Sequence, residues 1–316
     1  MAKIGFIFPG QGSQSVGMLA DLAATHAVVR DTFTEASDVL GYDLFDLVMN
    51  GPAEELGKTF KTQPALLTVS VALYRLWCQE TAARPVVMAG HSLGEYSALT
   101  CAGAIEFKDA VNLVRLRGEF MQNAVPAGTG AMAAVIGLAD DVIVSACAEA
   151  AGSEAAGSEV CSAVNFNSPG QVVIAGSAQA VERASEILKA KGAKRVLPLA
   201  VSVPSHCALM KPAALALKEE LAKISVKTPA IPVINNVDVV AATDAASICD
   251  ALVRQLYSPV RWVETVQKMA ADGVDTMIEM GPNKVLTGLV KRIEKSVSVQ
   301  PCNDVASLAA SIEACA

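Results

Sequence analysis

Residues 90–94, Gly90-His91-Ser92-Leu93-Gly94, fit the pattern G-x-S-x-G, and few pentapeptides restrict a backbone as severely. A serine flanked in this way joins a strand to a helix through a turn so tight that side chains two positions to either side would collide. Glycine at both positions removes the clash. The flanks agree with that geometry. Arg84-Pro85-Val86-Val87-Met88-Ala89 is a short apolar run suited to a buried strand, and Glu95-Tyr96-Ser97-Ala98-Leu99 opens a helix-compatible stretch. Strand, sharp turn and helix in that order point to a layered α/β protein with Ser92, the candidate nucleophile, exposed at the apex.

The rest of the chain carries the same alternation. A first strand spans Lys3 to Phe8 and is followed by the loop Pro9-Gly10-Gln11-Gly12-Ser13-Gln14; helical patterns run through Asp21 to Leu40, Ala65 to Thr81, Glu95 to Cys101 and Lys108 to Asn123. This order predicts a parallel sheet covered on both faces, with the Gln11 loop and the Ser92 turn both at the C-terminal ends of strands, where sites of such sheets gather. With 52% hydrophobic but only 4% aromatic residues, the core must be built mostly from Ala, Val, Leu and Ile.

The pattern changes at Val125-Pro126-Ala127-Gly128-Thr129-Gly130. Strand Ala131 to Gly137, helix Asp140 to Ala151, strand Val160 to Asn165, strand Gln171 to Ala175, helix Ala178 to Lys191 and strand Arg195 to Leu199 read as βαββαβ, the ferredoxin-like order. Asn167-Ser168-Pro169-Gly170 supplies the turn of its central hairpin. The predicted organisation is a large α/β domain made of residues 1–125 and 205–316, with residues 126–204 inserted as a small domain. Beyond the insertion, helix Pro212 to Ile224, strand Val233 to Asn236, helices Asp244 to Leu256 and Val260 to Asp272, strand Thr276 to Met280 and helix Lys284 to Ile293 resume the large domain.

Several classes of function are disfavoured. A net charge of −7 and few aromatics argue against a nucleic-acid surface or general binding to anionic membranes. The eight cysteines are scattered, with no C-x-x-C and no cysteine–histidine spacing of a zinc site, so they read as reduced, packed thiols and no metal is expected. Two glycine-rich stretches are decoys. Gly10-Gln11-Gly12-Ser13-Gln14-Ser15 breaks G-x-G-x-x-G at its last position, and Gly128-Thr129-Gly130-Ala131-Met132-Ala133 precedes a strand instead of opening a helix. No run has the length of a membrane span and the N-terminus lacks a secretory hydrophobic region, so a cytoplasmic location is expected.

A serine hydroxyl is unreactive at neutral pH unless a base, normally histidine, takes its proton. Only three histidines exist. His91 adjoins Ser92 on a turn that points successive side chains apart, so it is read as lining the pocket. His26 sits in an Ala-rich helical stretch that suits packing or solvent. His206, in Val203-Pro204-Ser205-His206-Cys207, follows the last strand of the insertion, where the returning chain would cross the cleft, and is the candidate base. No acidic residue stands out as the group that orients the imidazole, so that role stays open. The backbone N–H of Leu93 is one candidate oxyanion donor, and that of Gln11, between two glycines, is the other. Arg115 and Arg117 lie on different sides of one apolar helix, so one can be solvated while the other turns inward, toward either a substrate carboxylate or an internal Asp or Glu.

Taken together, Pro9-Gly10-Gln11-Gly12-Ser13-Gln14, Gln63-Pro64-Ala65-Leu66, Gly90-His91-Ser92-Leu93-Gly94-Glu95, Val203-Pro204-Ser205-His206 and Gly281-Pro282 with Lys284-Val285-Leu286 resemble the malonyl-CoA:acyl carrier protein transacylases of type II fatty acid synthesis. Five collinear motifs span almost the whole chain. The resemblance implies an α/β-hydrolase-like large domain with a ferredoxin-like insertion. It implies Ser92 as nucleophile, His206 as base, Gln11 and Leu93 as oxyanion donors, and Arg117 as partner of a malonyl carboxylate. It also implies Gln255 in place of a triad carboxylate, acting through a carbonyl that accepts from the histidine, with Gln63 lining the site. Malonyl-CoA and phosphopantetheinylated acyl carrier protein would be the partners of a monomeric enzyme without cofactor. Lys284, Lys291, Arg292 and Lys295 cluster in one segment and are expected to form part of a docking surface for the acidic carrier. Asn283 departs from the glycine more usual there, which bears on the turn before the last predicted helix.

Overall fold

The computed structural model describes residues 2–152, 159–200 and 203–315. In chain order its strands are β1 (Ile4–Phe8), β2 (Val87–Gly90), β3 (Gly130–Ile136), β4 (Cys161–Ser168), β5 (Gln171–Ser177), β6 (Arg195–Pro198), β7 (Val233–Ile234), β8 (Thr276–Glu279) and β9 (Ser298–Pro301). They form two sheets. One is five-stranded and wholly parallel, in the order β7-β2-β1-β8-β9; the other is four-stranded and antiparallel, in the order β4-β5-β3-β6. The protein is therefore α/β, with a doubly covered parallel sheet and a separate ferredoxin-like one.

Burial on both faces explains why the strands of the large sheet read as unbroken apolar runs. Along β1, Ile4, Phe6 and Phe8 point into a core with Trp77 of the helix Thr59–Glu80, while Ile7 points into the opposite core with Trp262 and Met277. Phe6 meets the Trp77 ring edge-on at 5.2 Å, a favoured aromatic geometry. In the small sheet, Val135, Val172 and Ile174 face the helices Asp140–Ala151 and Ala178–Ala190. The other face, with Met132, Val164, Val173 and Ala175, packs on Cys207 and so lies against the segment that carries His206. Two backbone hydrogen bonds tie the sheets' surroundings together: Phe166 N–H to Val260 O at 3.0 Å and Val260 N–H to Val164 O at 2.8 Å.

Some elements differ from the sequence reading, each for a local reason. The stretch Asp21 to Leu40 is two helices, Ala20–Thr25 and Ala27–Leu40, because His26 is extended (φ −124°, ψ 113°) between them. The helix expected from Ala65 begins at Thr59, with Pro64 inside it. Proline is usually a start signal, but here Lys58 O accepts from Lys61 and Thr62 and the helix is under way before Pro64 is reached. Strand β9 and the helix Val305–Cys315 were not anticipated. Among the described residues β9 pairs only with β8, and an edge strand can carry the Pro301 and polar residues that hide its pattern.

Candidate active site

Strands β1 and β2 run side by side, Phe8 opposite Gly90, and both deliver their loops to the same edge of the sheet. Ser92 sits between β2 and the helix Leu93–Cys101 with φ 53° and ψ −108°, a conformation strained for any residue with a side chain. The reason for the glycines is now measurable. A Cβ on Gly90 would stand 1.8 Å from the Gly94 carbonyl carbon, and one on Gly94 would stand 1.9 Å from Phe8 O. The half-buried serine stands at the apex of the turn because the backbone comes to its closest approach on both sides of it. Gly10 serves the neighbouring loop: a Cβ there would lie 2.6 Å from His91 O, so its absence lets Gln11 come up against the turn.

His206 reaches Ser92 from the far side of the cleft. Its Nε2 is 2.8 Å from Ser92 Oγ, and its Nδ1 is 2.8 Å from the backbone carbonyl of Gln255. A carbonyl can only accept, so Nδ1 carries the proton and Nε2 is left to accept from the serine hydroxyl. The orienting group is thus a main-chain oxygen. His206 also has a positive φ, 64°, and its own N–H is held by Leu256 O at 3.0 Å. Burial, and then the positive charge of Arg117, press its imidazole down to about 3, so it stays neutral and free to accept a proton.

Arg117 is 1% exposed. It lies on the helix Phe107–Asn123, which crosses Thr59–Glu80 so closely that a Cβ on Gly118 would stand 2.6 Å from Phe60 Cα. That approach brings Arg117 Nη1 to Gln63 Oε1 at 2.7 Å, and Nη2 to Gln255 Oε1 and Ser92 Oγ, both at 3.1 Å. Every acceptor is neutral. Its Nε has no partner, and among the described residues no carboxylate forms an ion pair with it. The internal acid left open by the sequence is absent from its contacts. Arg115, in contrast, pairs with Glu119 at 2.7 Å on the outer face.

Around these groups lies a cleft of about 110 Å³ lined by Gln11, Gln63, His91, Ser92, Leu93, Arg117, Met132 and His206, among others. Leu93 opens its helix, so its N–H is outside the helical ladder. His91 turns away from Ser92, as its place on the turn predicts: its Nε2 is 2.8 Å from Asn167 Oδ1 on β4, and its ring lies 5.6 Å from that of Trp262. His26 is not among the residues lining the cleft and lies 3.7 Å from Glu80. The four basic residues Lys284, Lys291, Arg292 and Lys295 are exposed on and beside the helix Val285–Ile293. Arg292 bonds Gln171 at 2.7 Å, and Asn283 donates to Ser13 O at 2.8 Å, so the turn before this helix is tied to the Gln11 loop.

Two residues of the site were not found from sequence. Asn236, fully buried, accepts from Ser92 N–H at 2.7 Å and donates to Gly90 O at 2.6 Å, bridging the two ends of the turn. Glu95, 2% exposed, accepts from Gln255 Nε2 at 2.8 Å and from Asn236 N–H at 2.9 Å. Burial raises its carboxyl to about 7. Their only sequence signals are a polar pair, Asn235-Asn236, closing an apolar strand, and an acid on an otherwise apolar helix.

The acyl transferase domain family matches residues 5–312 of the chain. Among curated proteins, the malonyl CoA-acyl carrier protein transacylase of Escherichia coli K12 is 61% identical over 313 residues, covering 99% of this chain and all of that one. The chain belongs to the malonyl CoA-acyl carrier protein transacylase family. It is an acyltransferase. The Bacillus subtilis transacylase is 46% identical over 99% of this chain and 97% of its own length. Among solved structures, an acyl carrier protein S-malonyltransferase from Vibrio cholerae superposes with a TM-score of 0.94 at 64% identity, covering 98% of this chain and 99% of that one. A malonyl-transacylase in complex with its type II PKS acyl-carrier protein superposes at 0.96 with 58% identity, covering 99% and 100%. Among the described residues, no helix is long and apolar enough to cross a membrane, and no cluster of three or more His, Cys, Asp and Glu could hold a metal.

Proposed function

We propose that the protein moves a malonyl group from malonyl-CoA to the phosphopantetheine thiol of acyl carrier protein through a malonyl-Ser92 ester. One observation carries this reading beyond acyl transfer in general: a buried guanidinium held by neutral oxygens and, at 5.2 Å, the face of the Tyr96 ring, with no carboxylate in contact, beside the nucleophile at 3.1 Å. A charge desolvated without a counter-ion is unfavourable in the empty protein and is relieved by an anionic substrate group. A carboxylate one carbon beyond the acyl carbonyl supplies that anion, and an acetyl group does not.

In the first half-reaction the Ser92 hydroxyl attacks the thioester carbonyl as His206 Nε2 takes its proton. The N–H groups of Gln11 and Leu93 stabilise the tetrahedral oxyanion, and CoA leaves as its thiol with the proton from His206. In the second, the carrier's thiol gives its proton to His206 and attacks the Ser92 ester, and the ester C–O bond breaks as His206 returns the proton to Ser92 Oγ, leaving the malonyl thioester on the carrier. The Gln255 carbonyl keeps the imidazole in the required tautomer throughout. Residues 126–204 act as the inserted domain that walls the cleft, and the exposed Lys284, Lys291, Arg292 and Lys295 contribute to docking an acidic carrier. The enzyme works as a cytoplasmic monomer and uses no resident cofactor.

The deciding experiment is incubation with malonyl-CoA and acetyl-CoA separately, followed by intact-mass measurement. Wild type should gain a malonyl adduct and Ser92→Ala none; Arg117→Ala should lose the preference for malonyl over acetyl. Equal labelling by both thioesters in wild type would instead indicate a general acyl esterase or transferase.

A further inference from the structure

The Gln255 amide lies between two groups with opposite demands. Its Nε2 donates to Glu95 Oε2 at 2.8 Å and to Ser92 O at 3.0 Å, while its Oε1 accepts from Arg117 Nη2 at 3.1 Å. An arginine has only donors, and Glu95 Oε2 is an acceptor, since the Asn236 N–H also donates to it at 2.9 Å. Rotating the amide by half a turn would set N–H against N–H at Arg117 and oxygen against oxygen at Glu95. The orientation is therefore fixed by Glu95 at one end and is passed to Arg117 at the other. All three groups are buried, so the interactions are strong and misorientation is heavily penalised.

The arrangement has a consequence for the charge of Arg117. An acid touching the guanidinium would neutralise it and compete with any substrate anion. Here the nearest acid is separated from it by one amide, and the guanidinium contacts Gln63, Gln255 and Ser92 only through neutral oxygens. The contact of Gln255 with His206 uses its main-chain carbonyl, so the side chain is available for this second task.

We propose that Glu95 is a positioning residue for substrate selection: through the Gln255 amide it holds Arg117 in a fixed direction on neutral acceptors, leaving the guanidinium charge for the carboxylate of the acyl group. This rests on the malonyl-transfer reading above. It assigns Glu95 a role distinct from bracing the serine turn through Asn236. A bracing role alone would affect all acyl donors equally.

The test compares Ser92 acylation rates with malonyl-CoA and acetyl-CoA in wild type, Glu95→Gln, Gln255→Met and the double variant. Glu95→Gln keeps the shape but can offer either a donor or an acceptor to Gln255, so the malonyl-over-acetyl ratio should fall about tenfold, the worth of one charge-assisted bond. Gln255→Met, which keeps the main-chain carbonyl facing His206, should lower the ratio similarly, and the double variant should fall no further than Gln255→Met alone. Should Glu95→Gln show no cooperative thermal transition, Gln255→Met alone decides the matter. An unchanged ratio in the folded single variants, or effects that multiply in the double variant, overturns the proposal while wild type still forms its malonyl adduct. Absence of that adduct in wild type overturns the malonyl-transfer reading instead.

Discussion

Asn236 gives the sharpest test of how the serine turn is held, because its two side-chain bonds have opposite polarity. Its Oδ1 accepts from Ser92 N–H at 2.7 Å and its Nδ2 donates to Gly90 O at 2.6 Å. Asn236→Ala leaves both buried backbone groups unpaired. At about 1 to 3 kcal/mol for each buried orphan, the loss is roughly 4 kcal/mol. Asn236→Asp has the same shape and retains the bond from Ser92 N–H, but it sets an acceptor against the Gly90 carbonyl. It also places a second carboxylate beside Glu95, whose Oε2 is 2.9 Å from the Asn236 N–H. Both effects raise the folded-state pKa of the new acid above its unfolded value of about 3.9. A raised carboxyl pKa means that the folded state binds the proton more tightly, so the deficit is full above that pKa and shrinks as pH falls toward 3.9. The protonated acid can then donate to Gly90 O as the amide did.

The expected result is that Asn236→Asp melts well below wild type at pH 8 and recovers much of the difference at pH 5, while the deficit of Asn236→Ala does not recover in this way. Acylation of Ser92 by malonyl-CoA should fall on the order of 100-fold at pH 8 in Asn236→Asp, since a shift of about 1 Å in the nucleophile suffices for that. Thermal unfolding followed by circular dichroism at the two pH values, with acylation followed by intact mass, measures both. If Asn236→Asp matches wild type in stability at pH 8, the donation to Gly90 O is not holding the turn and the reasoning fails.

Other perturbations follow from the same geometry. Gly94→Ala puts a Cβ 1.9 Å from Phe8 O, so the helix must retreat from β1 by about 1 Å; loss of soluble protein or of at least about 100-fold in acylation should follow, and a fully active variant would contradict the close approach. Stability against pH separates two opposed titrations. His206 is lowered from 6.5 to about 3, so the unfolded chain binds the extra proton in that window and stability rises with pH. Glu95 is raised from 4.5 to about 7, so there the folded chain binds it and stability falls with pH. The two slopes oppose each other where the windows overlap, and Glu95→Gln should make stability rise more steeply with pH between roughly pH 4.5 and 6.5; an unaltered slope in unfolding titrations would refute the assignment. Charge reversal at Lys284, Lys291, Arg292 and Lys295 should raise the apparent KM for acyl carrier protein and leave that for malonyl-CoA unchanged; steady-state kinetics with an unchanged carrier KM would remove this face from the docking surface.

What the sequence made legible was set by how local each constraint is. The turn at Ser92 announces itself because both glycines are required by contacts within a few residues or with the adjoining strand. His206 could be reached by elimination because only three histidines exist and the other two have poor positions. The small antiparallel sheet was readable from its order of elements, and its observed strand order, β4-β5-β3-β6, is the one that order implies. Asn236 and Glu95 were not legible, since each is defined by partners more than 140 residues away. Gly118 is similar: nothing near it in sequence shows that it must admit Phe60, yet that contact sets where Arg117 lies.

The site is built so that each charged or titrating group is held by a neutral one. A main-chain oxygen, instead of a carboxylate, orients His206, and amide oxygens hold Arg117. A carboxylate beside Arg117 would stabilise the unliganded protein more, since a buried cation with no counter-ion is costly. It would also occupy the guanidinium and so compete with an anionic acyl group. Glu95 shows the same logic at one remove, with the Gln255 amide between it and Arg117. On the malonyl-transfer reading proposed above, the lost ground-state stability is recovered when the acyl carboxylate binds beside Ser92, so the groups proposed to select the substrate would also make its binding favourable.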